Sequence, residues 1–299
     1  MKIAVTGANS SVGLNLLEHV GDLGDWDVAA CVRSERAAAS LPRSPRTSVH
    51  VVPYDDAARL SETLAGATCL VHLAGILIEW PGTSYEAANV LTAEAVARAA
   101  GPAGVGHLVL VSVIGASAES RNRYFRTKGE AERVFSSSGI ATTVLRTPIL
   151  LGPGTAGAAA LTRTVRTRKA RLLGGGRYTM RPLDLDDLSE AIIAICRAGP
   201  DGAVVHELVG PEPVPYRALV ERAARTVGVD VSLASMPIGL AKAGAWLRSR
   251  LQRGGVTPTV IDVITMDEVV EENADAELGI TLTPLNETLN KILKGERAT

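Results

Sequence analysis

Cysteine is scarce and scattered. The 299-residue chain holds three, Cys31, Cys69 and Cys196. An odd number with no CxxC pair excludes a disulfide framework and fits a reducing cytoplasm. The five histidines are equally dispersed, so no metal site is expected. Charge of one sign is lacking too. A formal net charge of −1 gives no reason to expect nucleic acid or an anionic membrane as partner. Long apolar runs are missing, and the run at 70–78 is far too short to span a bilayer. Repeats and long linkers are absent, and Met1-Lys2, followed at once by strand and glycine, does not read as a secretory leader. What is present is 46% hydrophobic and 21% charged, the balance of a soluble globular enzyme. The length suits one large α/β unit or a domain with a lobe.

Apolar segments at 2–6, 27–32, 48–53, 68–74, 106–112 and 141–146 predict strands, and 12–20, 57–65, 85–100 and 124–138 predict helices. Strict alternation means βαβ units, a doubly wound parallel sheet and right-handed crossovers. After Pro148 the rhythm changes. Gly152-Pro153-Gly154 and Gly174-Gly175-Gly176 break the chain, and the rest reads as mostly helical with one short strand near 204–209. The expected division is a nucleotide-binding domain over 1–147 and a smaller, mostly helical substrate lobe over 148–299.

In open parallel sheets the ligand lies beyond the carboxyl ends of the strands, so each strand end is a candidate. The first runs into Thr6-Gly7-Ala8-Asn9-Ser10-Ser11-Val12-Gly13. Gly7 permits close backbone approach, and the helix that follows aims unpaired N–H groups and a partial positive charge at a diphosphate. Gly7, Asn9, Ser10, Ser11 and Val12 form the candidate cradle. Ser10 stands where glycine is usual for a dinucleotide, and an ordinary turn with Ser10 or Ser11 as N-cap is the alternative. The second strand ends in Arg33-Ser34 with no carboxylate. An arginine there suits a ribose 2′-phosphate and favours NADP(H) over NAD(H); the alternative is a solvated side chain. Asp55 could accept the adenine amino group or belong to a helix cap. The fourth strand ends in His72-Leu73-Ala74-Gly75, small residues against which a cofactor could lie flat, with His72 packed in the strand.

Tyr124 and Lys128, four apart, share one face of the helix after the fifth strand. A phenol is a poor proton shuttle at neutral pH, and a neighbouring ammonium would lower its pKa. Tyr124 would then exchange a proton with a substrate oxygen as hydride moves to or from a nicotinamide. Lys128 could also bond the nicotinamide ribose.

TGANSSVG at 6–13, VHLAG at 71–75, Asn89 opening a long helix, YFRTK at 124–128, VLRTPILLGPG at 144–154, RPLDLDDLSEAI at 181–192 and HELVGPEPV at 206–214 together resemble the short-chain dehydrogenase/reductase superfamily. The likeness covers nearly the whole chain. It points to the extended and atypical branches, including epimerase/dehydratases and NAD(P)-binding proteins related to a complex I accessory subunit. The resemblance implies a Rossmann-type fold, with Leu73, Ala74 and Gly75 on the inner cofactor face and Pro148 near the nicotinamide. It also implies a serine or threonine pair at the end of the fifth strand. Here Val113 occupies the second position, and Ser112, one residue short, is the substitute only if the strand end curls.

Ile76, Ile78 and Trp80 follow the fourth strand and predict an apolar wall at the active-site mouth, unless Trp80 covers the sheet edge. Arg163, Arg166, Arg168, Lys169 and Arg171 could hold a substrate phosphate or form a solvated face. The segment 238–251, with Leu240, Trp246, Leu247 and Leu251, is expected to pack onto the lobe rather than lie on a membrane. The leading reading is an NADP(H)-dependent oxidoreductase acting on a carbonyl or secondary alcohol of an apolar small molecule. A non-catalytic NADP(H)-binding sensor or assembly protein, and a nucleotide-sugar epimerase/dehydratase, are the alternatives. A monomer or homodimer is expected, with no integral membrane segment.

Overall fold

In the computed structural model, which describes residues 1–54, 56–199, 202–251 and 254–295, the six expected strands form. They are β1 (Lys2–Thr6), β2 (Asp27–Val32), β3 (Thr47–Val51), β4 (Cys69–His72), β5 (His107–Val113) and β6 (Ala141–Thr147). Between them run α1 (Ser11–Leu23), α2 (Glu35–Ala38), α3 (Ala57–Leu64), α4 (Thr92–Ala100) and α5 (Arg123–Ser136). A π-helical turn, Glu86–Leu91, leads into α4.

The alternating side chains of the strands face opposite ways, as the pleat requires. Ile3, Val5, Val28, Ala30, Val71 and Val109 pack on one face against Leu16 and Val20 of α1. Ala4, Ala29, Leu70, Leu108 and Leu110 pack on the other against Leu60, Leu64, Val96 and Phe135.

Beyond Pro148 the chain forms β7 (Leu150–Leu151), α6 (Ala156–Thr167), β8 (Lys169–Leu173), β9 (Thr179–Met180), β10 (Leu183–Asp184) and α7 (Leu185–Ala198). Then follow β11 (Ala203–Glu207), β12 (Val214–Pro215), α8 (Tyr216–Thr226), β13 (Ser232–Met236), α9 (Ile238–Leu251), α10 (Pro258–Ile264), α11 (Asp275–Leu278) and α12 (Leu285–Lys294). The main sheet has seven strands in the order β3-β2-β1-β4-β5-β6-β11, all parallel. The order reverses between β1 and β4, and a crevice opens there at the carboxyl edge.

The expected division after residue 147 is crossed by the chain. β11 pairs with β6 from Ala203↔Thr142 to Glu207↔Arg146, and Leu188, Ile192 and Ile195 of α7 join the core beneath α1. Asn15 of α1 donates to Asp186 (2.7 Å) and accepts from Ser189 (2.6 Å) of α7. Residues 185–207 therefore belong to the sheet body, because the apolar faces of α1 and β6 need a cover that the first half does not supply. The lobe has its own core, built from α6, α8, α12 and the short strands around Leu161, Leu172, Leu219 and Leu289.

The segment 238–251 departs from expectation. It is helical, but Leu240, Trp246 and Leu247 are 69%, 52% and 57% exposed, so these three do not pack into the lobe. No helix among the described residues is long and apolar enough to cross a membrane.

Candidate active site

The cradle at the end of β1 is built from backbone. Gly7 sits at φ +76°, and a Cβ added there would lie 2.8 Å from the Ala74 nitrogen, so the turn touches the exit of β4 directly. Any side chain would force the two strand ends apart. The Gly7 amide donates to the Tyr54 hydroxyl (2.8 Å), which in turn donates to the Cys31 carbonyl (3.4 Å). Tyr54 is buried and fixes the turn from below; the sequence reading had missed it, since a tyrosine at the end of β3 carries no local motif. Ser10 is the N-cap of α1, its Oγ accepting from the Gly13 amide at 3.1 Å. Its hydroxyl proton stays available to an acceptor in the crevice. The Ser11 and Val12 amides stand in the first turn, where no intrahelical acceptor exists. Ala8 and Asn9 complete the turn. The Gly152-Pro153-Gly154 loop closes over it, Gly154 lying against Ser11.

Arg33 leaves the end of β2 exposed, and no ion pair engages it among the described residues. Ser34 caps α2 by accepting from the Ala37 amide (3.2 Å). Asp55 lies outside the described residues. His72 is buried, hydrogen-bonded to Thr6 Oγ1 (2.7 Å) and packed on Phe135. Burial drives its pKa down to about 3, so it is a neutral packed residue.

Leu73, Ala74 and Gly75 run from β4 along the crevice floor. Gly75 is exposed, and a Cβ built on it would lie 3.1 Å from Asn89 Oδ1 and 3.8 Å from Lys128 Nζ. This strip thus passes directly beside the lysine. Asn89, on the π-helical turn, accepts from the Ile76 amide and donates to Thr127 Oγ1, both at 3.0 Å. Thr127 donates to the Tyr124 carbonyl (3.0 Å). Asn89 therefore ties the β4 exit to the helix that carries Tyr124. The widened turn aims its side chain inward, a common use of π-helical geometry.

Asn122 caps α5, accepting from the amides of Tyr124 (3.0 Å) and Phe125 (3.4 Å). One turn on, Lys128 is buried, and its ammonium donates to the Val111 carbonyl at 3.0 Å. Burial pushes its pKa down to about 8, with Glu132 acting in the opposite direction. The Tyr124 phenol is buried between Tyr85 and Phe125, ring centroids 5.8 and 5.7 Å away. Ile76, Leu77, Val113, Val263 and Met266 pack against this aromatic cluster. Burial, then the Tyr85 hydroxyl, raises the Tyr124 pKa well above the ordinary phenol. This reverses the expectation that Lys128 lowers it: burial and the Tyr85 hydroxyl set the shift, while the Lys128 ammonium is turned to the Val111 carbonyl.

Ser112 is placed differently from expectation. Its hydroxyl donates to Glu132, whose carboxylate also binds Arg146 (2.7 and 3.1 Å), which reaches Glu207 (3.3 Å). The strand end does not curl to present Ser112. Val113 packs with the Tyr124 cluster instead. Pro148 follows β6 at the same carboxyl edge, half-buried.

The 76–85 loop is clamped. Glu79 accepts from the Tyr85 amide (2.9 Å) and takes Arg123 in a bidentate pair (3.1 and 3.2 Å), while Tyr85 donates to the Leu77 carbonyl (2.8 Å). Ile76 and Leu77 face the tyrosines, whereas Trp80 is 57% exposed and lines an open cleft with Arg123, Ser249 and Thr257. Arg163, Arg166, Arg168, Lys169 and Arg171 are all exposed and read as a solvated face.

Comparison with known proteins adds three likenesses. A 4-hydroxy-2-methyl-3-oxo-4-farnesyl-3,4-dihydroquinoline-1-oxide ketoreductase of Stigmatella aurantiaca is 28% identical over 274 residues, covering 85% of this chain and 81% of that protein. Subunit 9 of the NADH dehydrogenase [ubiquinone] 1 alpha subcomplex of Arabidopsis thaliana mitochondria is 25% identical, covering 94% and 73%. The structure of MoeE5 in complex with UDP-glucose and NAD superposes with a TM-score of 0.78 at 20% identity, covering 99% of each chain, a likeness of fold. Residues 7–173, more than half of the sequence, match a family model described as NAD(P)H-binding, and the protein belongs to that NAD(P)H-binding family.

Proposed function

We propose that the protein is an NADP(H)-dependent ketoreductase of an apolar small molecule, with Tyr124 as the proton donor. The observation that carries this reading is the Tyr124–Lys128 pair on α5, with Lys128 buried beside the Gly75 strip and Tyr124 enclosed by Tyr85, Phe125, Ile76, Leu77 and Met266. The residues at the crevice fit the cofactor: Ser10, Ser11 and Val12 offer donors to a diphosphate, and Arg33 is free to meet a 2′-phosphate. A reduced nicotinamide, when bound, supplies the hydride. Tyr124 delivers its phenolic proton to the carbonyl oxygen, and its raised pKa keeps that proton in place at neutral pH until the oxygen becomes basic. Lys128, fixed by Val111, stands by with positive charge for the resulting phenolate and with N–H donors for the cofactor ribose. The all-apolar enclosure suits a lipophilic ketone, as the farnesyl chain in the name of the Stigmatella ketoreductase also does. It offers little to a nucleotide sugar.

A second reading, a cofactor-binding sensor or assembly protein without turnover, draws on Val113 in the hydroxyl slot and on Ser112 being engaged by Glu132. The two separate cleanly. NADPH oxidation is followed with a panel of apolar ketones, using wild type and Tyr124→Phe. The variant is expected to lose roughly 10³-fold in rate while its affinity for NADPH is unchanged. NADPH binding without turnover of any ketone, or turnover indifferent to Tyr124→Phe, rules out the ketoreductase reading.

A further inference from the structure

Three large apolar side chains on one helix, α9, stay outside every core: Leu240, Trp246 and Leu247. Along that helix Leu240, Ala243, Gly244 and Leu247 recur at three- and four-residue spacing and are all exposed, which puts them on one stripe. Trp246 lies beside the stripe, 52% exposed. The opposite side of α9 is held against α10 by Lys242, paired with Asp262, and by the half-buried Ala241 and Ala245. The helix is therefore anchored through small residues and Ile238 at its start, while Leu240, Trp246 and Leu247 face outward. This inverts the arrangement of a core helix, where the large side chains are buried.

Charge follows the same geometry. Helix α9 carries no acidic residue and ends in Arg248 and Arg250. Both are exposed, and neither has a carboxylate partner among the described residues. Arg250 stacks on the Trp246 ring, 4.7 Å from its centroid. Apolar and aromatic side chains bordered by arginines on a surface helix match the two layers of a membrane interface, acyl boundary and anionic headgroup. The patch does not stop at the helix. A cleft lined by Trp80, Arg123, Ser249 and Thr257 connects the end of α9 to the clamped 76–85 loop, and Trp80 is exposed at its rim.

We propose that α9, with Trp80 beside it, docks the protein on the surface of an anionic phospholipid bilayer. The stripe lies in the interface plane, and Arg248 and Arg250 meet the phosphates. The formal net charge of −1 does not oppose this, because attraction to headgroups is local to within a Debye length. A second copy of the chain is a poorer occupant. Pairing this face about a two-fold axis sets the arginines of both copies around one seam with no acid on α9 to receive them. Docking would place the cleft at the 76–85 loop, whose Ile76 and Leu77 pack on the Tyr124 cluster, next to the phase in which a lipophilic ketone dissolves, but the docking itself does not depend on the catalytic reading.

The test is co-sedimentation of the full-length protein with vesicles of phosphatidylcholine alone or with phosphatidylglycerol added, alongside measured NADPH affinity. Wild type is expected to sediment with the anionic vesicles, weakly with the neutral ones, and less as salt is raised. Trp246→Ser combined with Leu247→Ser is expected to lower vesicle affinity at least about tenfold, with NADPH affinity unchanged as the check on folding. Arg248→Glu with Arg250→Glu should abolish the preference for anionic vesicles. Absence of sedimentation with either vesicle, equal affinity for both, or affinity indifferent to the serine pair overturns the proposal. So does a dimer that the serine pair dissociates without any vesicle binding by wild type.

Discussion

On the β1 side of the crevice the surface proposed to meet the cofactor is main chain: Gly7 in contact with Ala74, the first-turn amides of Ser11 and Val12, and the Gly75 strip. On the α5 side it is side chains, Tyr124 and Lys128, with Tyr85, Ile76 and Met266 brought to Tyr124 from two other stretches of sequence. The first surface is open and polar; the second is buried, and burial sets its chemistry. Backbone donors keep their properties wherever they are placed. Buried side chains do not, so Lys128 falls to about 8 and the Tyr124 phenol moves up. On the proposed reading, one side of the crevice binds through geometry and the other reacts through its environment.

The sharpest way to break that contrast is at Lys128. On the proposed reading, replacing it with methionine removes the charge that would balance a phenolate and the donor for the cofactor ribose, and ketone reduction is expected to fall by roughly 10²–10³-fold. The same change should stabilise the empty protein at neutral pH. The folded-state pKa of Lys128, about 8, lies below its unfolded value of 10.5, so between these values the unfolded chain binds more protons and stability rises with pH. Below about 8 the full penalty for a buried charge is present. Lys128→Met removes it, on the order of 2–3 kcal/mol, less roughly 1 kcal/mol for leaving the Val111 carbonyl unpaired. Melting curves from pH 7 to 10 check this. Wild type should gain stability across the range relative to Lys128→Met, and parallel curves would show that Lys128 carries no burial penalty. In wild type, kcat/KM is expected to decline as pH rises through about 8, as the free protein loses the Lys128 proton.

On the cofactor side the effect is smaller and concerns selectivity. Arg33→Ala is expected to weaken NADPH by about 10–100-fold, the value of charge-assisted bonds to a phosphate, while NADH affinity stays nearly constant. Fluorescence titration with both nucleotides decides it. Equal weakening of the two would mean that Arg33 shapes the crevice without reading the phosphate.

How far the sequence disclosed this molecule follows the same divide. The strands of the nucleotide half and the turn at 6–13 could be read because short-range patterns produce them: an apolar strand, a glycine, a helix start. The Tyr124–Lys128 spacing was legible for the same reason. Residues whose roles arise across space were not. Tyr54 holds the Gly7 amide from 47 residues away, Glu79 is clamped by Arg123 across 44, and Asn89 joins the β4 exit to α5 through a turn whose width no periodicity announces. The division after 147 misplaced α7 and β11 because a strand that re-enters a sheet looks locally like any other. The direction of the Tyr124 shift was misjudged because spacing reveals a neighbouring ammonium but not the loss of water around both groups.

Ser112 gives the most delicate comparison, since it and Val113 are adjacent on β5 and point to opposite roles. Ser112 donates to a carboxylate already held by Arg146, in a buried network that braces β5, α5 and β6. Val113 fills the position beside Tyr124. Ser112→Ala removes one bond to a charged acceptor but leaves Glu132 paired with Arg146, so no charge is orphaned. The expected cost is about 1–2 kcal/mol in urea denaturation, with ketone turnover essentially unchanged. Val113→Ser is the converse. It puts a hydroxyl next to the phenol without touching the Glu132 network, and a higher rate is expected because a second donor then reaches the carbonyl oxygen. A large loss of rate in Ser112→Ala at intact stability would assign the missing hydroxyl to Ser112 after all, with the end of β5 rearranging when cofactor and ketone bind. A loss of stability alone leaves it as a brace, and leaves Tyr124 to protonate the carbonyl without a hydroxyl partner from this strand.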